Sequence, residues 1–462
     1  MFRKTISLLL VLCMVLCLGV TAFADVQWFG LEQYIHGNGR EVNNIKYCTA
    51  ANDVEALVIA SKGGISNYRI LSEYYGMPVV EIMDYAFDCN WDLKSVSIPN
   101  TVRVIGNSAF HACKDLKSVT LPSGLKKLGE YAFAGTGLTA VTIPASVEYL
   151  GQFAFNLCSA LTSLTIEPGS LHYIGSYAFS DCDSLRTVEL PQTVTTLSEN
   201  AFSDCGALES FRAPGVQVIG RDAFYFDTNL RSIVLSADLQ RVDIAAFQSC
   251  SQLTDVYYGG TEEQWNAIEI KERNDPLLNA NIHFNSALAQ FTDLEPGGYY
   301  LDAVGWALQH EVTNGMGPNT FAPNGNCTRA QVVTFLWRAM GKPEPKSVAT
   351  SFTDVPADIW YSKAVAWAVE QNITNGMSEH SFAPDATCTR AQVVTFLWRA
   401  KGMPEPGTAN PFSDVAAGTY YYAPVLWANE NSVTNGTDAT HFSPQNTCIR
   451  AQVVTFLYRA LK

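Results

Sequence analysis

An Ala-Phe pair recurs at nearly constant spacing through the first part of the chain. Consecutive phenylalanines are separated by 22 to 24 residues, and they are Phe87, Phe110, Phe133, Phe155, Phe179, Phe202, Phe224 and Phe247. The surrounding pattern has an apolar opening, a glycine, the pair itself, a leucine and an alternating apolar strand that ends at proline, as in VRVIGNSAFHACKDLKSVTLP. A unit of this length cannot bury its apolar face alone, so the units must stack. The repetition predicts a β-rich solenoid of about eight units.

The ends of this repetition suggest capping segments. Residues 25–78 lack the motif and are predicted to form the N-terminal cap, with the repeats covering residues 79–258. Residues 259–286 are predicted to form the C-terminal cap and a junction, with Trp265 as an apolar lid. Such caps are needed because the terminal units of a solenoid would otherwise expose their apolar faces.

The repeat pattern resembles the BspA-type leucine-rich repeats, whose units also have the form IGxxAFxxCxxLxxVxIP. The resemblance extends to the ending YYGGTEEQWNAI. It implies a bacterial surface protein, since some members of this family are adhesins that bind other cells or matrix proteins. The repeats alone do not specify a ligand.

A second repeat follows residue 286, with a period of 61 and then 60 residues. Each copy opens on F-T/S-D, contains TNG, and closes on a helix that begins near Arg329, Arg390 or Arg450. In the first copy, Thr328 and Gln331 form the sequence signature of a capping box, which predicts a helix start at this position. The pattern predicts three small all-α domains over residues 291–341, 352–402 and 412–462.

The closing pattern of each copy looks like that of the S-layer homology domain, which usually occurs in three copies. The resemblance implies non-covalent binding to a secondary cell-wall polysaccharide of Gram-positive-type bacteria, often through a pyruvylated terminal sugar. It makes the arginine of the Thr-Arg-Ala-Gln motif the principal ligand contact. The candidate wall-binding residues are Arg329, Arg390, Arg450, Gln331, Gln392, Gln452, Gly315, Gly376 and Gly436.

The chemistry of arginine agrees with this expectation. A guanidinium can hold a carboxylate through two parallel hydrogen bonds, and a helix start favours an anion through its unpaired amides and its dipole. The alternative is that the arginine pairs with a nearby acid or covers the helix start. In the third copy Ile449 replaces the capping threonine, so its helix start is expected to lose a cap worth about 1 kcal/mol.

The outward positions of the predicted strands form an extended polar face, which is a second candidate binding surface. Its members are Thr120, Thr142, Thr165, Arg186, Arg212, Arg231 and Tyr257. Concave solenoid faces often bind proteins or glycans, so a host or microbial partner is one possibility. A solvated sheet without any partner is the other, because outward strand residues are usually polar.

The cysteines are predicted to fill the core rather than to form disulfides or metal sites. Cys113, Cys158, Cys182, Cys205 and Cys250 lie three residues after the repeat phenylalanine, and Cys89, two residues after it, is placed in the same interior line. A disulfide between Cys182 and Cys205 is the alternative, because neighbouring solenoid turns lie within disulfide range. The sequence has no paired metal ligands, no cofactor motif and no convincing catalytic constellation, which predicts a non-enzymatic protein without a cofactor or metal.

The N-terminal segment predicts an exported protein. Residues 1–24 combine Arg3 and Lys4 with an apolar run and a small-residue cleavage site, which predicts a secretory signal peptide. The net charge of −14 argues against binding to nucleic acid, and no later segment is long enough to span a membrane. The sequence therefore favours a secreted protein attached to the cell wall that displays an adhesin-like solenoid. The rival hypothesis is a passive S-layer component in which the solenoid is a spacer.

Overall fold

The computed structural model describes residues 35–42, 45–50, 56–61, 66–295 and 298–462. The predicted signal peptide lies outside the described residues. The chain divides into two compact units, Met1–His283 and Phe284–Lys462. The predicted fold class is confirmed, because the first unit is a β-solenoid of about ten turns and the second is helical.

Most turns of the solenoid contribute to two series of parallel strands. In one series the strands have two residues, and each pairs with the equivalent strand of the next turn except at the break between β11 and β13. These are β8 (Val104–Ile105), β9 (Lys127–Leu128), β11 (Tyr149–Leu150), β13 (Tyr173–Ile174), β15 (Thr196–Leu197), β17 (Val218–Ile219), β19 (Arg241–Val242) and β21 (Glu269–Ile270). The other series has β4 (Asn67–Arg69), β7 (Ser95–Ser97), β10 (Ala140–Ile143), β12 (Ser163–Ile166), β14 (Thr187–Glu189), β16 (Ser210–Ala213), β18 (Ser232–Leu235), β20 (Asp255–Tyr258) and β22 (Asn281–His283).

An antiparallel segment precedes the regular turns. Strands β1 (Ile35–Val42), β2 (Ile45–Ala50) and β3 (Ala56–Ser61) form a meander, and β3 pairs in parallel with β6 (Met77–Ile82). The two-residue strand β5 (Glu73–Tyr74) pairs with β6 in the antiparallel sense. The meander therefore continues the sheet of two-residue strands at its N-terminal end.

The repeat phenylalanines form a continuous stack inside the solenoid. All eight rings are at most 1% exposed, and neighbouring ring centroids lie 4.9 to 6.2 Å apart with nearly parallel planes. The amide of each phenylalanine from Phe87 to Phe224 donates a hydrogen bond to the carbonyl of the alanine that precedes the next phenylalanine, at 2.7 to 2.9 Å. The Ala-Phe pair thus supplies both the core side chain and the inter-turn hydrogen bond.

The backbone around each of these phenylalanines is left-handed on both sides. The residues two before and two after every repeat phenylalanine have φ between +51° and +69°, and only Gly135 among them is a glycine. A non-glycine residue pays about 1–2 kcal/mol for this conformation, which the inter-turn hydrogen bonds offset. The sequence does not reveal this feature, because the left-handed positions hold residues of many types.

The cysteines that lie three residues after the phenylalanine are buried free thiols. Each Sγ atom donates to the carbonyl of the phenylalanine one turn earlier, at 3.1 to 3.5 Å; the five are Cys113, Cys158, Cys182, Cys205 and Cys250. Burial raises the pKa of these thiols, to about 12 for Cys113 and about 11 for Cys158. The predicted core role is confirmed for these five, and Cys182 and Cys205 are not bridged.

Cys89 corrects the prediction that all repeat cysteines share one interior line. It lies two residues after Phe87, at a left-handed position with φ +52°, and its burial is intermediate. The interior position is taken by Asn90, which is 6% exposed. The one-residue difference in spacing therefore turns Cys89 away from the column of core thiols.

The C-terminal turns end in two short helices, α1 (Glu262–Asn266) and α2 (Asp275–Leu278). Trp265 of α1 is 8% exposed and packs edge-on against Tyr258, with ring centroids 5.1 Å apart. Asn274 ends the phenylalanine ladder, because its side-chain oxygen accepts the amide of Phe247 at 3.0 Å where an alanine carbonyl would otherwise be needed. Its amide nitrogen donates to two backbone carbonyls, which fixes the side chain.

In residues 284–295 and 298–462, the second unit has a 3-10 helix (Ala287–Ala289) and six α-helices. In chain order the helices are α3 (Leu301–Gln309), α4 (Arg329–Ala339), α5 (Ser362–Glu370), α6 (Arg390–Ala400), α7 (Tyr422–Glu430) and α8 (Arg450–Leu461). The helices pair between copies rather than within them: α4 packs on α5, α6 on α7, and α8 on α3. Three helices α4, α6 and α8 also contact one another.

A ring of backbone hydrogen bonds marks the centre of this arrangement. The amide of Cys388 donates to the carbonyl of Cys327, Cys448 donates to Cys388, and Cys327 donates to Cys448, at 2.8 to 3.2 Å. All three side chains are fully buried. The three copies therefore form one interlocked unit with approximate threefold symmetry.

Candidate functional site

The three candidate arginines occupy equivalent positions between copies. Arg329, Arg390 and Arg450 are the first residues of α4, α6 and α8, and their side chains are only 2–3% exposed. Each Nε–H donates to a phenylalanine carbonyl of a neighbouring copy at 2.8 to 2.9 Å; the acceptors are Phe382, Phe442 and Phe321, respectively. Every arginine site is thus built by more than one copy.

Aromatic rings enclose each guanidinium. The carbon of the Arg329 guanidinium lies 4.9 Å from the ring centroid of Phe382 and 5.5 Å from that of Phe396. The other two arginines have the same arrangement, with distances of 4.8 to 5.3 Å. Burial lowers the pKa of all three guanidinium groups from their ordinary value. The rings compensate part of this desolvation through cation–π attraction.

An aspartate at the equivalent position of each copy holds the loop that receives the arginine. Asp354 accepts hydrogen bonds from the amides of Phe382 and Ala383 at 2.9 and 2.8 Å. Asp293 and Asp414 do the same in the other copies. These carboxylates therefore position the carbonyl that binds the arginine, a role that the sequence analysis did not assign.

The described residues form no salt bridge with the three guanidinium groups. The carboxylates of Asp354, Asp414 and Asp293 act on Arg329, Arg390 and Arg450, respectively, only through longer-range charge. The Nη2 atoms of Arg329 and Arg390 are buried and have no hydrogen-bond partner within the described chain. Nη2 of Arg450 donates to the hydroxyl of Thr313 at 3.3 Å. A buried cation with an unused donor is costly, so the sites of Arg329 and Arg390 retain capacity for an anionic ligand.

The helix starts themselves are not free to bind an anion, which corrects a sequence-based expectation. The amide of Arg329 donates to the carbonyl of Ala386 at 2.9 Å, and that of Ala330 donates to Pro384 at 3.0 Å. The third amide, that of Gln331, donates to the Thr328 hydroxyl. Because the neighbouring copy and the cap already satisfy these donors, any attraction for an anion must come from the guanidinium. Its Nε–H is also occupied, so a two-bond grip that uses Nε is unavailable.

The candidate glutamines have a local role in two copies. Gln331 and Gln392 complete capping boxes, since their side-chain oxygens accept the amides of Thr328 and Thr389 at 3.0 and 3.1 Å. The predicted capping box is therefore confirmed. In the third copy Ile449 makes no side-chain cap, as expected, and the Gln452 oxygen is buried without a partner among the described residues.

The candidate glycines are required by packing. Gly315, Gly376 and Gly436 have φ between +80° and +86°. A Cβ atom on any of them would lie 2.5 to 2.6 Å from the ring of the phenylalanine that opens the same copy. These glycines allow the TNG turn to lie against that ring. Their role in a wall-binding site is indirect, through the shape of the turn.

Each copy exposes an aromatic side chain at the same position, and two of these side chains lie near an arginine; the sequence analysis missed them. Tyr299, Trp360 and Tyr420 occupy equivalent positions and are 57–58% exposed. The charge of Arg390 acts on the Tyr299 hydroxyl, and that of Arg329 acts on the Tyr420 hydroxyl. The only sequence signal was the paired aromatic residues YY, WY and YY at the same place in each copy.

The predicted polar face of the solenoid divides into two regions. Thr120, Thr142 and Thr165 are exposed, and Thr142 pairs directly with Thr165 in the strand register. Farther along, the residues interact with one another: Arg186 pairs with Glu209, Arg212 pairs with Glu189, and Tyr257 stacks on His283 with ring centroids 4.6 Å apart. Arg231 is exposed. The charges of Arg186 and Arg212 are therefore compensated within the face.

Comparison with protein families agrees with this architecture. Residues 80–205 and 167–267 match the BspA type leucine-rich repeat region, and residues 290–333, 351–394 and 411–454 match the S-layer homology domain. The chain carries BspA-type leucine-rich repeats and three S-layer homology domains. This combination is that of a cell-surface protein with a leucine-rich-repeat solenoid.

Curated relatives match mainly over part of their length. A cell surface protein of Thermoanaerobacter kivui is 31% identical over 25% of this chain and 16% of its own length. A surface-layer 125 kDa protein of Lysinibacillus sphaericus is 28% identical over 38% of this chain and 15% of its own. A cellulosome-anchoring protein of Acetivibrio thermocellus is 28% identical over 31% of this chain and 33% of its own. The chain thus spans no more than about a third of these relatives.

Solved structures of leucine-rich repeat proteins are similar to the chain at low TM-scores. One from Bacteroides ovatus has 21% identity, covers 53% of this chain and 78% of its own, and gives a TM-score of 0.38. For the leucine-rich repeat protein of T. pallidum the sequence identity is 28%, the match covers 46% of this chain and 90% of that protein, and the TM-score is 0.35.

Among the described residues, no helix is both long and apolar enough to cross a membrane.

Proposed function

We propose that the three S-layer homology domains anchor this protein non-covalently to an anionic secondary cell-wall polysaccharide. The observation that carries the proposal is that all three guanidinium groups are buried without a salt bridge among the described residues, and that Nη2 of Arg329 and of Arg390 has no hydrogen-bond partner there. A carboxylate, such as that of a ketal-linked pyruvate on a terminal sugar, would supply the missing charge and hydrogen-bond acceptors. The relative that is named as a cellulosome-anchoring protein supports the same role.

The geometry also favours a sugar as the bearer of that carboxylate. Tyr299, Trp360 and Tyr420 each expose a large ring next to the interlocked helices. An aromatic ring of this kind can pack against the apolar face of a sugar while the guanidinium attracts its acid group. Three such sites in one unit would add their weak contacts through effective concentration.

Co-sedimentation with wall sacculi tests this proposal. The full chain is incubated with sacculi that retain their polysaccharide and with sacculi from which all non-peptidoglycan polysaccharide has been removed. We expect sedimentation only with the first preparation, and competition by a pyruvylated sugar but not by its uncharged counterpart. Binding that survives removal of the polysaccharide would contradict the proposal.

Two sets of variants locate the binding to these sites. The combined change Tyr299→Ala, Trp360→Ala and Tyr420→Ala removes exposed rings and should weaken sedimentation without unfolding the chain. Tyr85→Ala, which removes a ring that is 63% exposed on the solenoid, is the matched control and should sediment normally. Equal sedimentation of both variants would exclude the exposed aromatic residues from the site.

The arginines need a separate variant because they are buried. Arg329→Gln, Arg390→Gln and Arg450→Gln are combined, and circular dichroism establishes whether the unit is still folded. We expect the folded triple variant to lose polysaccharide-dependent sedimentation, with single variants weakened in proportion. A folded triple variant that sediments like the original chain would show that the arginines are structural only.

We further propose that the solenoid is displayed for binding a protein or glycan of a host or another microbe, and that the chain is not an enzyme. The exposed threonine region around Thr120, Thr142 and Thr165 supports a binding face. The internal ion pairs of the remaining face support the alternative, a passive spacer. Changing the three threonines to lysine should abolish adhesion of chain-coated beads to target cells if the first idea is correct, and should have no effect if the solenoid is a spacer.

A further inference from the structure

Three side chains that are typical metal ligands meet on the turn side of the solenoid. The Nδ1 atom of His111 lies 2.8 Å from a carboxylate oxygen of Asp88. One ligand atom from each of Asp88, Cys89 and His111 lies within 4.8 Å of the corresponding atoms of the other two. All three residues have intermediate burial, so solvent and small ions can reach them.

The stacking of the turns explains why these residues come together. Asp88 directly follows Phe87, and His111 directly follows Phe110, so they hold the same place in consecutive turns. The amide of Cys89 donates to the carbonyl of His111 at 2.8 Å, which ties the two turns together at this point. The cluster is therefore built on backbone that the phenylalanine stack and the inter-turn ladder hold in place.

The position of Cys89 separates it from the structural thiols. The five cysteines that lie three residues after a phenylalanine direct Sγ to a buried carbonyl, whereas Cys89 occupies the left-handed position two residues after Phe87. Among the nine cysteines whose side-chain burial the structure describes, Cys89 is the one that is not buried. Its offset from the repeat pattern places a thiol beside a carboxylate and an imidazole.

We propose that Asp88, Cys89 and His111 bind a divalent transition-metal ion of the zinc class. A thiolate, an imidazole and a carboxylate are the ligands such ions prefer, whereas Mg²⁺ and Ca²⁺ require several oxygen ligands. Metal–ligand bonds of about 2.0–2.3 Å in a tetrahedral site separate the ligand atoms by about 3.3–3.8 Å. The ligand atoms lie within 4.8 Å of one another, so side-chain rotations that move them by about 1 Å reach this geometry.

The site would have three protein ligands and an open fourth position for water or for a side chain of a partner. Binding would link the first two motif-bearing turns through their side chains as well as through their backbone. The sequence analysis predicted no metal site, because it searched for ligands two to four residues apart. Here the histidine is 22 residues from the cysteine, and only the stacking of turns makes them neighbours.

Cobalt substitution tests the proposal, because Co²⁺ reports its ligands by colour. The full chain is reduced, treated with chelator and titrated with Co²⁺ without oxygen. We expect saturation at one equivalent, visible bands of tetrahedral intensity, and a thiolate-to-cobalt charge-transfer band in the near ultraviolet that Zn²⁺ abolishes by displacement. A chain that gives no charge-transfer band would refute the proposal.

Variants assign the ligands. Cys89→Ser should remove the charge-transfer band, while His111→Gln and Asp88→Asn should each weaken Co²⁺ binding by at least about tenfold. His172→Gln, which changes an exposed histidine elsewhere on the solenoid, is the matched control and should bind like the original chain. Circular dichroism verifies that each variant is folded. A band that persists in folded Cys89→Ser would place the metal at another thiol and overturn the assignment.

Discussion

Asp227 is a buried carboxyl whose ionisation is expected to lower the stability of the solenoid. It occupies the interior position that cysteine holds in most turns, and it is fully buried. One carboxylate oxygen accepts the amide of Cys205 at 2.8 Å, while the other has no hydrogen-bond partner among the described residues. Burial raises the pKa of this carboxyl well above its ordinary value, and the nearby charge of Asp204 acts in the same direction.

The sign of the pH dependence follows from this raised pKa. In the unfolded chain Asp227 ionises near pH 4, whereas the folded chain keeps its proton to a higher pH. Between the two pKa values the folded state holds one proton more, so the free energy of unfolding falls as the pH rises, by up to about 1.4 kcal/mol per pH unit. Below about pH 4 both states are protonated and the contribution is fully retained.

Asp227→Asn separates this effect from all other titrations. Asparagine keeps an oxygen to accept the Cys205 amide, but it cannot ionise. We expect the variant and the original chain to have similar stability near about pH 4, and the variant to become progressively more stable up to about pH 7. The measurement is urea unfolding of the solenoid at several pH values, followed by circular dichroism.

The control for this experiment is Asp115→Asn, which changes an exposed aspartate of the same solenoid. Its stability profile should run parallel to that of the original chain. If the Asp227→Asn profile is also parallel, the carboxyl titrates equally in both states, and the argument from burial is refuted.

Three further substitutions test local features of the fold. Ile449→Thr should restore the missing helix cap and raise the free energy of unfolding of the helical unit by about 1 kcal/mol in chemical denaturation. Gly376→Ala should lower the melting temperature of that unit, because alanine is strained by about 1–2 kcal/mol at φ +80° and its Cβ would lie 2.5 Å from the Phe352 ring. Asn274→Ala should leave the Phe247 amide without its acceptor and cost about 1–3 kcal/mol, detectable as faster hydrogen exchange of that amide.

Periodicity made the architecture predictable from sequence. The regular spacing of the Ala-Phe pair predicted stacked turns, because every turn must bury the same face. The structure places all eight phenylalanine rings in one column. The start of α4 was equally predictable from the sequence, because Thr328 and Gln331 form a capping box within four residues. Both signals are local, so they do not depend on how distant parts of the chain meet.

The arginine sites were only half predictable. Arg329 and Arg390 could be assigned to the first position of a helix, but each binds a carbonyl that lies more than 50 residues later in the chain. Arg450 binds Phe321, 129 residues earlier. The guanidinium groups are buried, and the amides at the helix starts are occupied, because each helix start contacts a neighbouring copy. These contacts cannot be inferred from the sequence of one copy alone.

The sequence by itself determined the repeat lengths, the helix starts and the core residues, because these depend on spacing along one turn or one helix. The tertiary structure decided which side chains from different repeats become neighbours. It turned Cys89 away from the core thiols and towards His111, and it placed the three arginines between copies. The physical reason is that stacking joins residues of equal position in successive repeats, so a change of one residue in spacing, or a change of partner copy, alters the chemistry of a site.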